Sequence, residues 1–200
     1  MRLLCVCFIL LTLASHAQIN QQNVTIARDS FGVPHIFAKT DAEVAYGLAW
    51  ANAEDDFKSL QMVVLPAKGM MGRALGKQGA AGDYAFALFR CGEITDERWN
   101  TLSPAYIKLI EGYVQALNDY AMKHKDEWMV KNLFPVTAKD FVASSVLALT
   151  VFNGADDALK QIFPGQASLA PLALKWILQF DAVSCIIPGA SSAGQVESNI

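Results

Sequence analysis

Apolar positions recur every second residue near the start of this chain and every third or fourth residue further on. Val24-Thr25-Ile26 has the two-residue period of a strand, and Asp29-Ser30-Phe31-Gly32 is turn chemistry. Val33 to Ala38 reads as a second strand, with Pro34 confining it to an edge or a strand start. Together these predict a hairpin. Thr40-Asp41-Ala42-Glu43 follows as a capping box, in which the Thr hydroxyl accepts from the third helical amide and Glu43 reaches back. The helix it starts is expected to run to about Val64, with Val44, Leu48, Ala51, Leu60 and Val64 at helical spacing.

Pro66 to Gly82 carries five glycines and no Lys-Ser or Lys-Thr pair after the last of them, so a phosphate cradle is excluded and a flexible loop is expected. Ser103-Pro104 is a helix start, an N-cap followed by proline at the first helical position. Tyr106, Ile110, Tyr113, Val114, Leu117 and Ala121 give that helix its apolar face. Thr137 caps a further helix from about Ala138 to Phe152, which Asn153-Gly154 stops. The character then changes. Leu169 to Phe180 reads as a helix, Val183 to Ile187 as a short buried strand, and Ser192-Ala193-Gly194-Gln195 as the cap of a last helix, a pattern belonging to parallel α/β folds.

Composition adds compartment and excludes some partners. Met1-Arg2, the apolar run Leu3 to Leu13 and Ser15-His16-Ala17 make a signal peptide cut after Ala17; a buried N-terminal helix is the competing reading. The run is shorter than the roughly 20 residues of a spanning helix, so no membrane association is expected once it is removed. Removal takes away Cys5 and Cys7, leaving Cys91 and Cys185, whose spacing alone does not decide whether they pair. Three histidines, one in the leader, form no metal cluster. A formal charge of −3 without a basic run argues against nucleic acid as a partner.

Arg28-Asp29, Gly32-Val33-Pro34-His35-Ile36, Asp41, Tyr46-Gly47-Leu48 and Ala53-Glu54-Asp55-Asp56-Phe57 stand in an order and spacing that resembles the small chain of the penicillin acylase family, in the branch that deacylates lipopeptides and acyl-homoserine lactones. Phe89-Arg90, Ile110-Glu111-Gly112-Tyr113 and Phe134-Pro135-Val136-Thr137 continue the pattern. The resemblance implies an α+β fold: part of an αββα N-terminal-nucleophile hydrolase, completed by a second and larger chain. It implies hydrolysis of a linear amide C–N bond in a small-molecule substrate, with the catalytic serine on the large chain, so no catalytic residue is expected in this one and the chain alone is expected to be inactive. Leu149 and Phe152 are the expected acyl contacts, with membership of an ordinary helix core as the equal alternative. Some members bind calcium; Asp156 and Asp157 lie near the relevant point, but no ligand spacing marks a site and no cofactor is assigned. Glu54-Asp55-Asp56 is expected to be a solvated helix face, and His35 to make a structural hydrogen bond rather than to catalyse.

Leu172-Ala173-Leu174-Lys175-Trp176-Ile177-Leu178, Ile187-Pro188-Gly189-Ala190 and Gln195-Val196-Glu197-Ser198-Asn199 are similar to another family, the aldo/keto reductases, where they form the last strand and helix of a (β/α)₈ barrel. That resemblance implies Ser191, Gln195 and Asn199 as vestigial contacts to the phosphate of NADP. The expected organisation is thus a leader over 1–17, an acylase-like segment over 18–158 and a reductase-like βα fragment over 159–200. Three functional readings stand: part of an exported, periplasmic or secreted acylase; a non-enzymatic fusion or truncated product; and a fragment of an NADP-dependent reductase.

Overall fold

The computed structural model describes residues 18–154. Its first regular elements are the antiparallel strands β1 (Thr25–Arg28) and β2 (Pro34–Phe37), paired with Thr25 opposite Phe37 and Ile26 opposite Ile36. The predicted capping box is formed: the Glu43 amide donates to Thr40 Oγ1 at 3.3 Å and the Thr40 amide to Glu43 Oε2 at 3.0 Å. From it runs α1 (Asp41–Val64). This helix is broken once, at Asp56, whose φ/ψ of −156°/75° is not helical. There the Asp56 carboxylate accepts from the Ser59 amide at 3.0 Å and the Ser59 hydroxyl at 2.5 Å, so it caps the second half of α1 as a fresh N-terminus.

The buried side of α1 differs from the one the large apolar residues suggest. Ala45, Tyr46, Ala49, Ala53, Phe57, Gln61 and Val64 are buried, whereas Val44 and Leu48 are exposed. Small residues face inward because α1 is crossed closely by α5 (Pro104–Lys123). A methyl group on Gly112 of α5 would stand 2.3 Å from the Ala42 carbonyl oxygen, inside any permitted contact. Hydropathy weighs Leu above Ala, but the backbone separation here admits only the latter.

The expected loop between Pro66 and Gly82 is instead folded. It contains α2 (Met71–Leu75) and the start of α3 (Lys77–Leu88), which turn back on one another. Asp83 holds the pair by accepting from the Met71 amide at 3.0 Å and the Gly72 amide at 2.8 Å, supplying the missing cap of α2. The glycines that suggested flexibility serve contact: a Cβ at Gly79 would lie 2.0 Å from the Met71 carbonyl oxygen. Then follow α4 (Cys91–Arg98), α5 with Ser103 as its N-cap, and α6 (Ala138–Phe152). Thr137 caps α6 in a reciprocal pair with Asp140.

The main core lies where α1, α5 and the stretch 128–136 meet. Phe57, Val64, Leu65, Ile110, Val114, Leu117, Leu133 and Phe134 fill it, with Phe57 stacked 5.6 Å from Phe134 and tilted 5.0 Å from Tyr120. Side-chain amides tie irregular backbone onto the helices around it. Fully buried Gln61 donates to the Glu127 carbonyl at 3.1 Å and accepts from the Met129 amide at 2.8 Å. Asn118 makes the same paired contact with both backbone groups of Val136, at 2.8 Å each, and Gln115 with those of Ile19 at 2.8 and 3.0 Å. Cys91 is fully buried as a free thiol, and burial pushes its pKa up; its possible partner Cys185 lies outside the described residues. Among the described residues no helix is long and apolar enough to cross a membrane.

The close crossing predicts that Gly112→Ala is costly although it adds a single methyl. Overpacking of about 1–3 kcal/mol is expected, read as a lowered denaturant midpoint with an unchanged slope. A midpoint within error of the parent would show that α1 and α5 have slack at this point.

Candidate functional site

Seven residues, Arg28 to Pro34, build a heavily tied turn at the surface of the described structure. Gly32 at φ +83° lets the hairpin close, and its amide donates to the Asp29 carbonyl at 3.0 Å. One Asp29 oxygen accepts from the amides of Phe31 at 2.8 Å and Val33 at 3.0 Å. The other lies 3.3 Å from Nε2 of His35, the structural hydrogen bond expected of that histidine. The two amides foremost, with His35 behind them, hold the Asp29 carboxyl below the usual carboxylate range.

Arg28 then joins the turn to α1. One guanidinium nitrogen donates to the Gly32 carbonyl at 2.9 Å, and the other lies 2.8 Å from Asp55 and 3.2 Å from Glu54. Glu54 also accepts from the Trp50 indole at 2.9 Å. The acidic run of α1 is therefore not simply a solvated face. Glu54 and Asp55 bind the hairpin, and Asp56 breaks and recaps the helix.

Beside this lock lies a slot of about 210 Å³ lined by Gln21, Val24, Ile26, Tyr46, Trp50 and Glu54. The Tyr46 hydroxyl donates to Asp119 at 3.0 Å; burial, and then the Asp119 charge, push its pKa well up, so it stays a donor. Lys123 sits 4.5 Å from the Trp50 ring. A second cleft of about 270 Å³, between α4 and α6, is lined by Thr95, Asp96, Thr137, Lys139 and Asp140 among others. Its charges are matched, Lys139 by Asp96 at 2.5 Å and Asp140 by Lys68 at 2.9 Å. Neither cleft offers a hydroxyl or thiol beside a histidine, since His35 and His124 are engaged by Asp29 and Glu127.

Leu149 and Phe152 sit on the last turn of α6, and both are open, at 62% and 87% exposure. Neither is buried among the described residues. Asp156 and Asp157, and Ser191, Gln195 and Asn199, lie outside the described residues. So do the leader and the segment 159–200. Among the described residues no group of three or more His, Cys, Asp or Glu side chains is placed to hold a metal ion.

Sequence reasoning missed Asp119, Asp83 and Gln61. Each is a single polar residue whose partner lies 11 to 73 positions away, so no local pattern marks it. Arg28 was visible as a motif residue, but its two acidic partners were not.

Comparison with known proteins gives this surface a context. A sequence model described as Penicillin amidase matches residues 23–183, which covers the whole of the hairpin lock and ends inside the 159–200 segment. An acyl-homoserine lactone acylase, PvdQ, of Pseudomonas savastanoi pv. phaseolicola is 30% identical over 125 residues, 58% of this chain and 16% of that protein. Penicillin G acylase of Escherichia coli is 24% identical over 112 residues, 56% of this chain and 13% of that one. The chain thus spans a small part of the length of these relatives. The crystal structure of a thermostable penicillin G acylase from Alcaligenes faecalis superposes with a TM-score of 0.52 at 20% identity, covering 84% of this chain and 98% of the matched one. That neighbour establishes the fold: an α+β fragment of the penicillin acylase type, mostly helical with a two-stranded hairpin.

The Asp29 contacts predict a pH response with a definite sign. A carboxylate whose folded pKa is depressed contributes stability that is complete above its unfolded value, about 3.9, and that disappears as pH falls through the lower folded value. Followed by NMR, the amide protons of Phe31 and Val33 should keep their hydrogen-bonded shifts through pH 4 and lose them together below it. A midpoint at or above the ordinary aspartate value would show that the carboxylate does not hold the turn.

Proposed function

Because this chain belongs to the penicillin amidase family, we propose that it is the small-chain part of an exported acylase that hydrolyses a linear amide, and that it works with a nucleophile-bearing large chain. The observation that carries the reading is a division of labour. The family match runs through the hairpin lock and all six helices, and the two clefts described above offer no hydroxyl or thiol beside a histidine. The described residues make a scaffold and a binding wall. On this proposal the bond-breaking step belongs to a serine at the start of the large chain. Its hydroxyl attacks the amide carbonyl while its own α-amino group, with an unperturbed pKa near 7.7–8.0, takes the proton. The amine leaves with a proton, and water releases the acyl group from the serine ester.

The small chain's part in the substrate falls to the end of α6. Leu149 and Phe152, three positions apart on one helix face, present apolar surface that a bound acyl chain would cover. The amide-bearing end then lies towards the large chain. Export follows from the leader over 1–17, and the periplasm or the exterior is the proposed compartment.

The test is reconstitution. The full chain is co-produced with the part of the Pseudomonas savastanoi acylase beyond its match to this chain, and hydrolysis of a long-chain acyl p-nitroanilide is measured. Activity is expected only when both are present. Phe152→Ala should lower kcat/KM for the acyl amide by about ten- to a hundredfold, the equivalent of about 1.5–3 kcal/mol of lost apolar burial. Hydrolysis by this chain alone, or activity of the other part that is indifferent to it, would overturn the assignment.

A further inference from the structure

The hairpin has two faces, one of which is packed on α1. Ile26 and Ile36 point to α1, where Ile36 lies against Gly47. A sheet packed on one side only shows polar residues on the other. Here the alternate residues Val33, His35 and Phe37 face outward, together with Thr25 and Ala27 across the ladder, and all are exposed. At the tip of the same element, Phe31 is 89% exposed.

The turn backbone that carries Phe31 is held by a chain of contacts. The Phe31 amide and that of Val33 are fixed by Asp29, the Gly32 carbonyl is fixed by Arg28, and Arg28 is fixed by Glu54 and Asp55 of α1. What these contacts fix is the backbone from which the exposed ring projects. An aromatic side chain on a rigid support, ready in its bound geometry, is what a binding anchor requires, because little ordering entropy is left to lose on association.

We infer that Phe31, with Val33 and Phe37 beside it, is the pre-organised anchor through which this chain docks on the large acylase chain, its ring entering an apolar pocket there. The inference rests on the two-chain reading above. The occupant is argued from chain length: the matched chain of the solved acylase is nearly all covered by this one, whereas the curated relatives are several times longer. An acylase of this kind therefore contains a large further portion to be joined. The sheet of the described residues has two strands, so each outer edge is also open to that portion.

Association is the readout. The full chain and the same Pseudomonas savastanoi portion are co-purified, and the strength of the complex is measured by surface plasmon resonance. Phe31→Ser is expected to weaken it by about tenfold or more, with the thermal unfolding of the chain alone unchanged because the residue is 89% exposed there. Asp29→Ala, which keeps the ring and frees the turn, should weaken it by about a fewfold. Leu75→Ser on α2 should leave it unchanged. A Phe31→Ser chain that binds as tightly as the parent overturns the anchor while the two-chain reading survives. A parent chain that binds nothing overturns both. If the parent instead forms a dimer of itself that Phe31→Ser dissolves, the face belongs to a second copy and the inference fails.

Discussion

The close crossing of α1 and α5 is the constraint on which the described structure depends. With Gly112 set against the Ala42 carbonyl, the two long helices approach near enough that alanines, not leucines, line much of the seam. Everything else is hung from that pair. The hairpin lies on one end of α1, Phe57 and Tyr120 meet at its middle, and the stretch 128–136 closes over its second half. The break at Asp56 belongs to the same arrangement, since it falls just before Phe57, where α1 begins to pack against this stretch as well as α5.

Irregular backbone is secured by one repeated device. Gln61, Gln115 and Asn118 each offer a carboxamide whose oxygen and nitrogen meet an amide and a carbonyl of passing chain, as a neighbouring strand would. Buried backbone groups must be paired, and a core of helices has no strand edge to offer them. The carboxamide supplies both functions at once. This explains how segments with little regular structure are fixed well enough to carry aromatic core residues such as Phe134.

Elements that announce themselves through local chemistry were legible in the sequence. The capping box at Thr40, the Thr137 cap, the Ser103-Pro104 start and the hairpin turn are short-range patterns, and each is formed. What escaped was set by distance. The glycines between Pro66 and Gly82 read as loop because their purpose, contact between α2 and α3, exists only after folding. The apolar face of α1 was misjudged at Val44 and Leu48 for the same reason. At the surface, the motif residues Arg28, Asp29 and His35 stood out, while the pairing of Arg28 with Glu54 and Asp55 required the hairpin to be laid on the helix.

The buried thiol of Cys91 carries a consequence for chemical probing. Fully enclosed and with its pKa raised, it presents neither access nor thiolate to an alkylating reagent. It sits at the first position of α4, directly after α3, and α4 in turn packs against α6. Its modification therefore has to wait for that neighbourhood to part. The thiol is a native stopwatch, and the rate at which it is labelled counts how often α4 lifts from its surroundings without any foreign reporter being introduced.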